Sequence, residues 1–176
     1  MRNTTFALVA AVLTASLAGC TFYDTSLCTS DRLVDLPQFA GHYEIDNGDG
    51  QAPDVLEIAQ TSLGVFKTVG DESSADTVMR TCQVDGKLSL EVQTGTSFEL
   101  YGLSVTADET QLTHTDIDPA LIESGKVPGE CKTEEFTHIT TCTVNNSQMR
   151  TPGEMTQWIQ PSGDAIHLKR DLPPSL

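Results

Sequence analysis

The sequence is short of basic residues: ten lysines and arginines stand against 25 aspartates and glutamates over 176 residues, a formal charge of −15. Such a chain repels nucleic-acid phosphates, and the adjacent pair Lys169-Arg170 is too small to count as a basic patch. Nucleic acid is thereby excluded as a partner. Long apolar runs are also missing. The stretch from Phe6 to Leu13 falls far below the roughly 20 residues a helix needs to cross a bilayer, which disfavours a retained membrane span. There is no phosphate-binding glycine loop, dinucleotide fingerprint or C-x-x-C redox pair, so no cofactor is expected. No amphipathic helical pattern separates successive strand-like segments, which argues against a parallel α/β architecture.

What is present begins at the N-terminus. Arg2, the apolar stretch, and small residues ahead of a cysteine make up an export signal. Leu17-Ala18-Gly19-Cys20 resembles the lipobox of bacterial lipoproteins at all four positions. That resemblance implies a diacylglycerol thioether on Cys20, cleavage before it, and acylation of the new amino terminus. Membrane lipid is then the first partner. At about 0.8 kcal/mol per buried methylene, one acyl chain holds a protein marginally, whereas two or three make release very slow. Ser16 and Ala18 also offer a small-x-small site to the ordinary signal peptidase, the alternative for a secreted protein. Thr21 stands where an aspartate would signal inner-membrane retention in enteric-type bacteria. Resemblance to that rule implies a lipid-anchored envelope protein sorted to the outer membrane.

Removing 19 of 176 residues leaves 157, enough for one domain with its own core. Arg2 is the only charged residue removed, so the mature charge is −16. Five cysteines are odd for an oxidising compartment, and giving Cys20 to lipid leaves Cys28, Cys82, Cys131 and Cys142 as an even set. Those four allow three disulfide connectivities. The short separation of Cys131 and Cys142 favours joining them, which leaves Cys28 to meet Cys82. His138 between Cys131 and Cys142 raises a metal site, but the paired close spacing of zinc ligands is lacking, and no metal is expected.

Residues 20–36 are polar and mixed and read as the lipidated N-terminus and a tether, with a single domain over 37–176. The dominant periodicity after that is two. Lys87 to Gln93 alternates strictly, with Leu88, Leu90 and Val92 on one face and polar or charged groups on the other. Asp85-Gly86 joins it to the run Thr77 to Val84 through a tight hairpin turn. Further strands are expected at 42–46, 55–60, 65–69, 98–105, 111–117, 136–144, 155–160 and 165–170. Turn signals such as Asn47-Gly48-Asp49-Gly50 and Pro161-Ser162-Gly163-Asp164 separate them. One short helix is expected near 119–124, with Asp118 as N-cap, Pro119 at the first position and Gly125 as the stop. The fold class is therefore all-β: an antiparallel meander closing into a small barrel of eight to ten strands, which removes edge strands most completely. A β-sandwich is the alternative.

Phe39-Ala40-Gly41-His42-Tyr43 resembles the Phe-x-Gly-x-Trp opening shared by lipocalins and fatty-acid-binding proteins, with tyrosine in place of tryptophan. The likeness implies a cup-shaped barrel for a small apolar ligand, with an arginine across the aromatic ring; Arg150 and Arg170 are the candidates. Read without it, Tyr43 and Ile45 face the core while His42, Glu44 and Asp46 face water.

No catalytic residue is identified. Gly102-Leu103-Ser104-Val105-Thr106 lacks the final glycine of a nucleophile elbow. His42, His114, His138 and His167 are read as solvated or structurally satisfied. Asp46 to Gly50 fails the calcium-loop register, and Asn145-Asn146-Ser147 is a polar loop. Three functions compete. A non-enzymatic anchored barrel that carries a small apolar ligand requires an interior pocket of about 300–1,000 Å³. A structural or protein-binding lipoprotein, partnered by another envelope protein, requires a packed core and an exposed apolar patch. An envelope hydrolase requires histidine, carboxylate and hydroxyl groups converging in one cleft.

Overall fold

The computed structural model describes residues 20–45, 54–69, 77–135, 139–149 and 157–170. Among these residues there are eleven strands and one short α-helix: β1 Cys20–Tyr23, β2 Gly41–Ile45, β3 Asp54–Ser62, β4 Val65–Val69, β5 Thr77–Val84, β6 Lys87–Thr94, β7 Ser97–Val105, β8 Glu109–Ile117, α1 Pro119–Glu123, β9 Gly129–Thr133, β10 Thr140–Val144 and β11 Ile159–Arg170. Strands β2 to β8 run as an antiparallel meander, and β11 pairs with both β8 and β2. The result is a closed barrel of eight antiparallel strands, not a sandwich. Closure leaves no edge among these eight.

The hairpin at Asp85-Gly86 has both residues at positive φ, 52° and 71°, and sets Val84 opposite Lys87. This primed turn follows the twist of the two strands it joins. Helix α1 is capped by the Asp118 carboxylate, which accepts from the Ala120 amide at 2.9 Å, and has Pro119 in its first turn.

Alternation along the strands turns Tyr43, Ile58, Phe66, Met79, Leu90, Val92, Tyr101, Leu103, Leu112 and Leu168 into one interior cluster. A 3-10 turn at Pro37–Phe39 caps one end. Phe39 is fully buried there, edge-on to Phe66 with ring centroids 5.0 Å apart.

Residues 20–36 are part of the fold, which corrects the expectation of a tether. Strand β1 pairs in parallel with β10 and meets β7 at Tyr23 and Phe98. Leu27 and Cys28 are buried against the outer barrel wall, and Arg32 to Val34 run beside β5 through Leu33↔Cys82. Gly64 (φ +64°) sits so close that an added Cβ would lie 2.9 Å from the Val34 carbonyl oxygen. The segment is a strap that crosses the barrel from β7 to its capped end. A second apolar cluster, including Tyr23, Leu27, Val84, Leu100, Ile117, Ile122 and Val144, lies beneath the strap and the β1-β10-β9 flap.

Other boundaries differ from expectation. The segments expected at 155–160 and 165–170 meet in one strand, β11, which is described from Ile159, while 155–156 lie outside the described residues; its register shifts between Pro161 and Ala165, so the turn signal there is a bulge. The strand expected at 136–144 is described from Thr140, and 136–138 lie outside the described residues. Strand β9 was not expected. The signal, the lipobox residues before Cys20, the loop Asp46 to Gly50 and Arg150 also lie outside the described residues.

Candidate functional site

At the capped end, Tyr43 anchors a network. Its hydroxyl donates to the Phe39 carbonyl at 2.8 Å, the Arg170 guanidinium lies 5.7 Å from its ring centroid, and Arg170 Nη2 donates to its hydroxyl at 3.2 Å. Of the two arginines raised by the sequence, it is Arg170 that covers the ring. Strand β2 leads here because Tyr43 faces inward while His42 and Glu44 are exposed.

Above this layer the interior is packed. Tyr43, Phe66, Leu90, Tyr101 and Leu112 are at most 3% exposed and pack into one cluster. Half-buried inward positions lie toward the ends, including Leu56, Thr68, Thr77 and Glu99 at the end opposite the cap.

That far end holds a polar cluster. Glu99 and Tyr101 from β7, His114 and Asp116 from β8, and Ser162 in the β11 bulge converge there. The Tyr101 hydroxyl donates to Glu99 Oε2 at 2.6 Å. Burial raises the Glu99 carboxyl above its ordinary range, with the Tyr101 bond and then His114 pulling it back. The His114 ring meets Tyr101 edge to face at 5.2 Å, and its Nδ1 lies 3.2 Å from Ser162 Oγ and 3.5 Å from Asp116 Oδ1. Ser162 donates its own proton to Asp116 Oδ2. His114 Nε2 is buried and has no hydrogen-bond partner. His114 is thus neither solvated nor fully satisfied, contrary to expectation. Histidine, carboxylate and hydroxyl do converge, as a hydrolase requires. A relay, however, needs the imidazole to bridge hydroxyl and carboxylate through its two nitrogens. Here both oxygens crowd the same nitrogen.

Compared with protein-family models, curated proteins and solved structures, the chain matches none.

The remaining sequence candidates are the cysteines. Cys28 is bonded to Cys82, and Cys131 to Cys142. Cys20, the first residue of β1, is the one cysteine of five outside these two bonds. Next to it, Thr21 is 2% exposed and its hydroxyl accepts from the Ile117 amide at 3.3 Å. Tyr23 is also buried; burial first, and the Asp116 carboxylate second, push its phenol well above the ordinary value. Three or more metal-ligating side chains gather nowhere among the described residues. His42 and His167 are exposed beside Glu57 and Glu109 respectively, and His138 lies outside the described residues. Asn145-Asn146-Ser147 enters a 3-10 turn at Asn146–Gln148, where the Asn146 side chain bonds the Thr25 backbone and Ser147 bonds Asp24. A cleft of about 490 Å³ lies between this turn and the strap, lined by Ser26, Leu27, Arg32, Asn146 and Met149 among others.

The polar cluster joins residues far apart in sequence, which only the fold brings together. The signal was legible: His114 and Asp116 stand at steps of two from Leu112, on the face that carries the core.

Proposed function

We propose that this chain is a non-enzymatic lipoprotein of a bacterial cell envelope, held in the outer membrane by acyl chains on Cys20. The observation that carries the reading is the cysteine pairing: the lipobox-type cysteine is the one that neither disulfide uses. It also stands directly at the start of the folded domain, where an acylated residue would hold the whole barrel. No helix among the described residues is long and apolar enough to cross a membrane; in this reading lipid on Cys20 supplies the attachment. The crowding of Ser162 and Asp116 on one nitrogen of His114 supports a non-enzymatic role.

The filled interior favours a barrel that presents its surface to another envelope protein over one that encloses a large apolar ligand. A ligand-carrying role rests on the far end, where the inward-facing Leu56, Thr68 and Thr77 are half-buried.

Fractionation tests the anchor. Wild-type protein is expected in the outer-membrane fraction, and Cys20→Ser in the soluble fraction or as unprocessed precursor. Processed Cys20→Ser protein that stays membrane-bound contradicts the reading.

A further inference from the structure

We infer that the outer face of the β1-β10-β9 flap lies flat against the phospholipid bilayer, so that the barrel is held in one orientation and does not swing on a leash. The inference rests on acylation of Cys20 as proposed above. An extended residue reaches only about 3.4 Å, and Cys20 itself lies in the sheet, opposite Thr141 and one residue before Thr21, which is 2% exposed. Acyl chains on Cys20 therefore bring the surface around it into the headgroup layer.

Register identifies that surface. Cys20 opposes Thr141, which opposes Lys132; Phe22 opposes Thr143, which opposes Glu130. The intervening rows turn the other way: Thr21, Tyr23, Cys142 and Val144 are all buried against the barrel. Phe22, Thr141, Thr143, Lys132 and Glu130 are partly or largely exposed and form the outer face. In a mature chain of charge −16 this face is neutral, since Lys132 pairs with Glu130 at 3.1 Å. Anionic headgroups repel the bulk of the molecule but not this face. Phe22 supplies an aromatic ring beside the anchor, at the depth where aromatic side chains favour the interface. The disulfide between Cys131 and Cys142 ties β9 to β10 and keeps the face in one piece.

The test is amine footprinting of lipidated full-length protein in phosphatidylethanolamine/phosphatidylglycerol vesicles, read lysine by lysine by mass spectrometry. Lys132 lies two strands from Cys20, about 10 Å, whereas Lys67 is exposed on β4, away from the flap. Lys132 is expected to react several-fold more slowly on vesicles than in soluble Cys20→Ser protein, with Lys67 unchanged. A Gly/Ser segment of ten residues inserted after Cys20 should restore Lys132 reactivity while the protein still floats with the vesicles. Equal Lys132 reactivity in floating and soluble protein overturns the inference and leaves the anchor standing. Protection of Lys132 already in the soluble variant means a second copy covers the face, which also overturns it. Failure to float refutes the anchor itself.

Discussion

Glu91 is 1% exposed although it lies on the opposite face of β6 from Leu90 and Val92. Its carboxylate accepts from Ser26 Oγ at 2.7 Å and from the Leu27 and Cys28 amides at 2.6 and 3.1 Å, and Arg80 Nη1 lies 3.4 Å away. The charge clamps the strap to the barrel. Glu91→Ala leaves two buried amides and a partly buried guanidinium without their acceptor, and about 3 kcal/mol of stability should be lost. Urea unfolding measures this, and an unchanged midpoint contradicts the clamp. The strict alternation around Leu90 placed Glu91 on a polar face, and that much was right. A period of two cannot tell water from a strap, because the strap reaches Glu91 from about 64 residues away in sequence. Glu99 makes a second prediction. Burial raises its folded-state pKa, so between the ordinary glutamate value and the raised one the folded protein holds a proton the unfolded chain has released. Stability therefore falls as pH rises through that window. Glu99→Gln should remove this decline in denaturation midpoints measured from about pH 4 upward, starting near the reference glutamate pKa; parallel profiles for the two proteins would sink the assignment.

Among the elements, those stabilised locally were readable and those stabilised at a distance were not. The β5–β6 hairpin carries its own turn chemistry in Asp85-Gly86, and α1 its own cap and stop, so both stand where the residues put them. Strand β1 has four residues and no alternation to advertise it; β10, more than 100 residues later, makes it a strand. Pro161 and Gly163 signal a turn, yet β8 pairs on both sides of them and turns the interruption into a bulge. The two disulfides act on these elements unequally. Cys28–Cys82 closes a separation of 54 residues and Cys131–Cys142 one of 11. The chain-entropy argument gives about 4 kcal/mol for the first and about 3 kcal/mol for the second. The Cys28→Ser/Cys82→Ser pair should thus lower the thermal midpoint more than Cys131→Ser/Cys142→Ser. The reverse order would mean that Glu91 and the buried strap hold without their cross-link.

For the whole molecule, the all-β class and barrel closure followed from strand spacing and from the need to hide edges, and eight strands close as that argument requires. The expected tether did not, because polar composition in residues 20–36 hid the apolar groups that hold it down: Tyr23, Leu27, Cys28, Leu33 and Leu36. This moves the candidate anchor from the end of a flexible leader to the first residue of a sheet. With the acylation of Cys20 proposed above, membrane attachment and the orientation of the domain would both be set at that residue, which neither disulfide uses. The most direct test is the intact mass of protein extracted gently from membranes. The account predicts a chain beginning at Cys20 that carries a diacylglycerol and an N-linked acyl group, four hydrogens lighter than its fully reduced form. An unmodified thiol at Cys20 in the processed protein, or cleavage at any other residue, would contradict it.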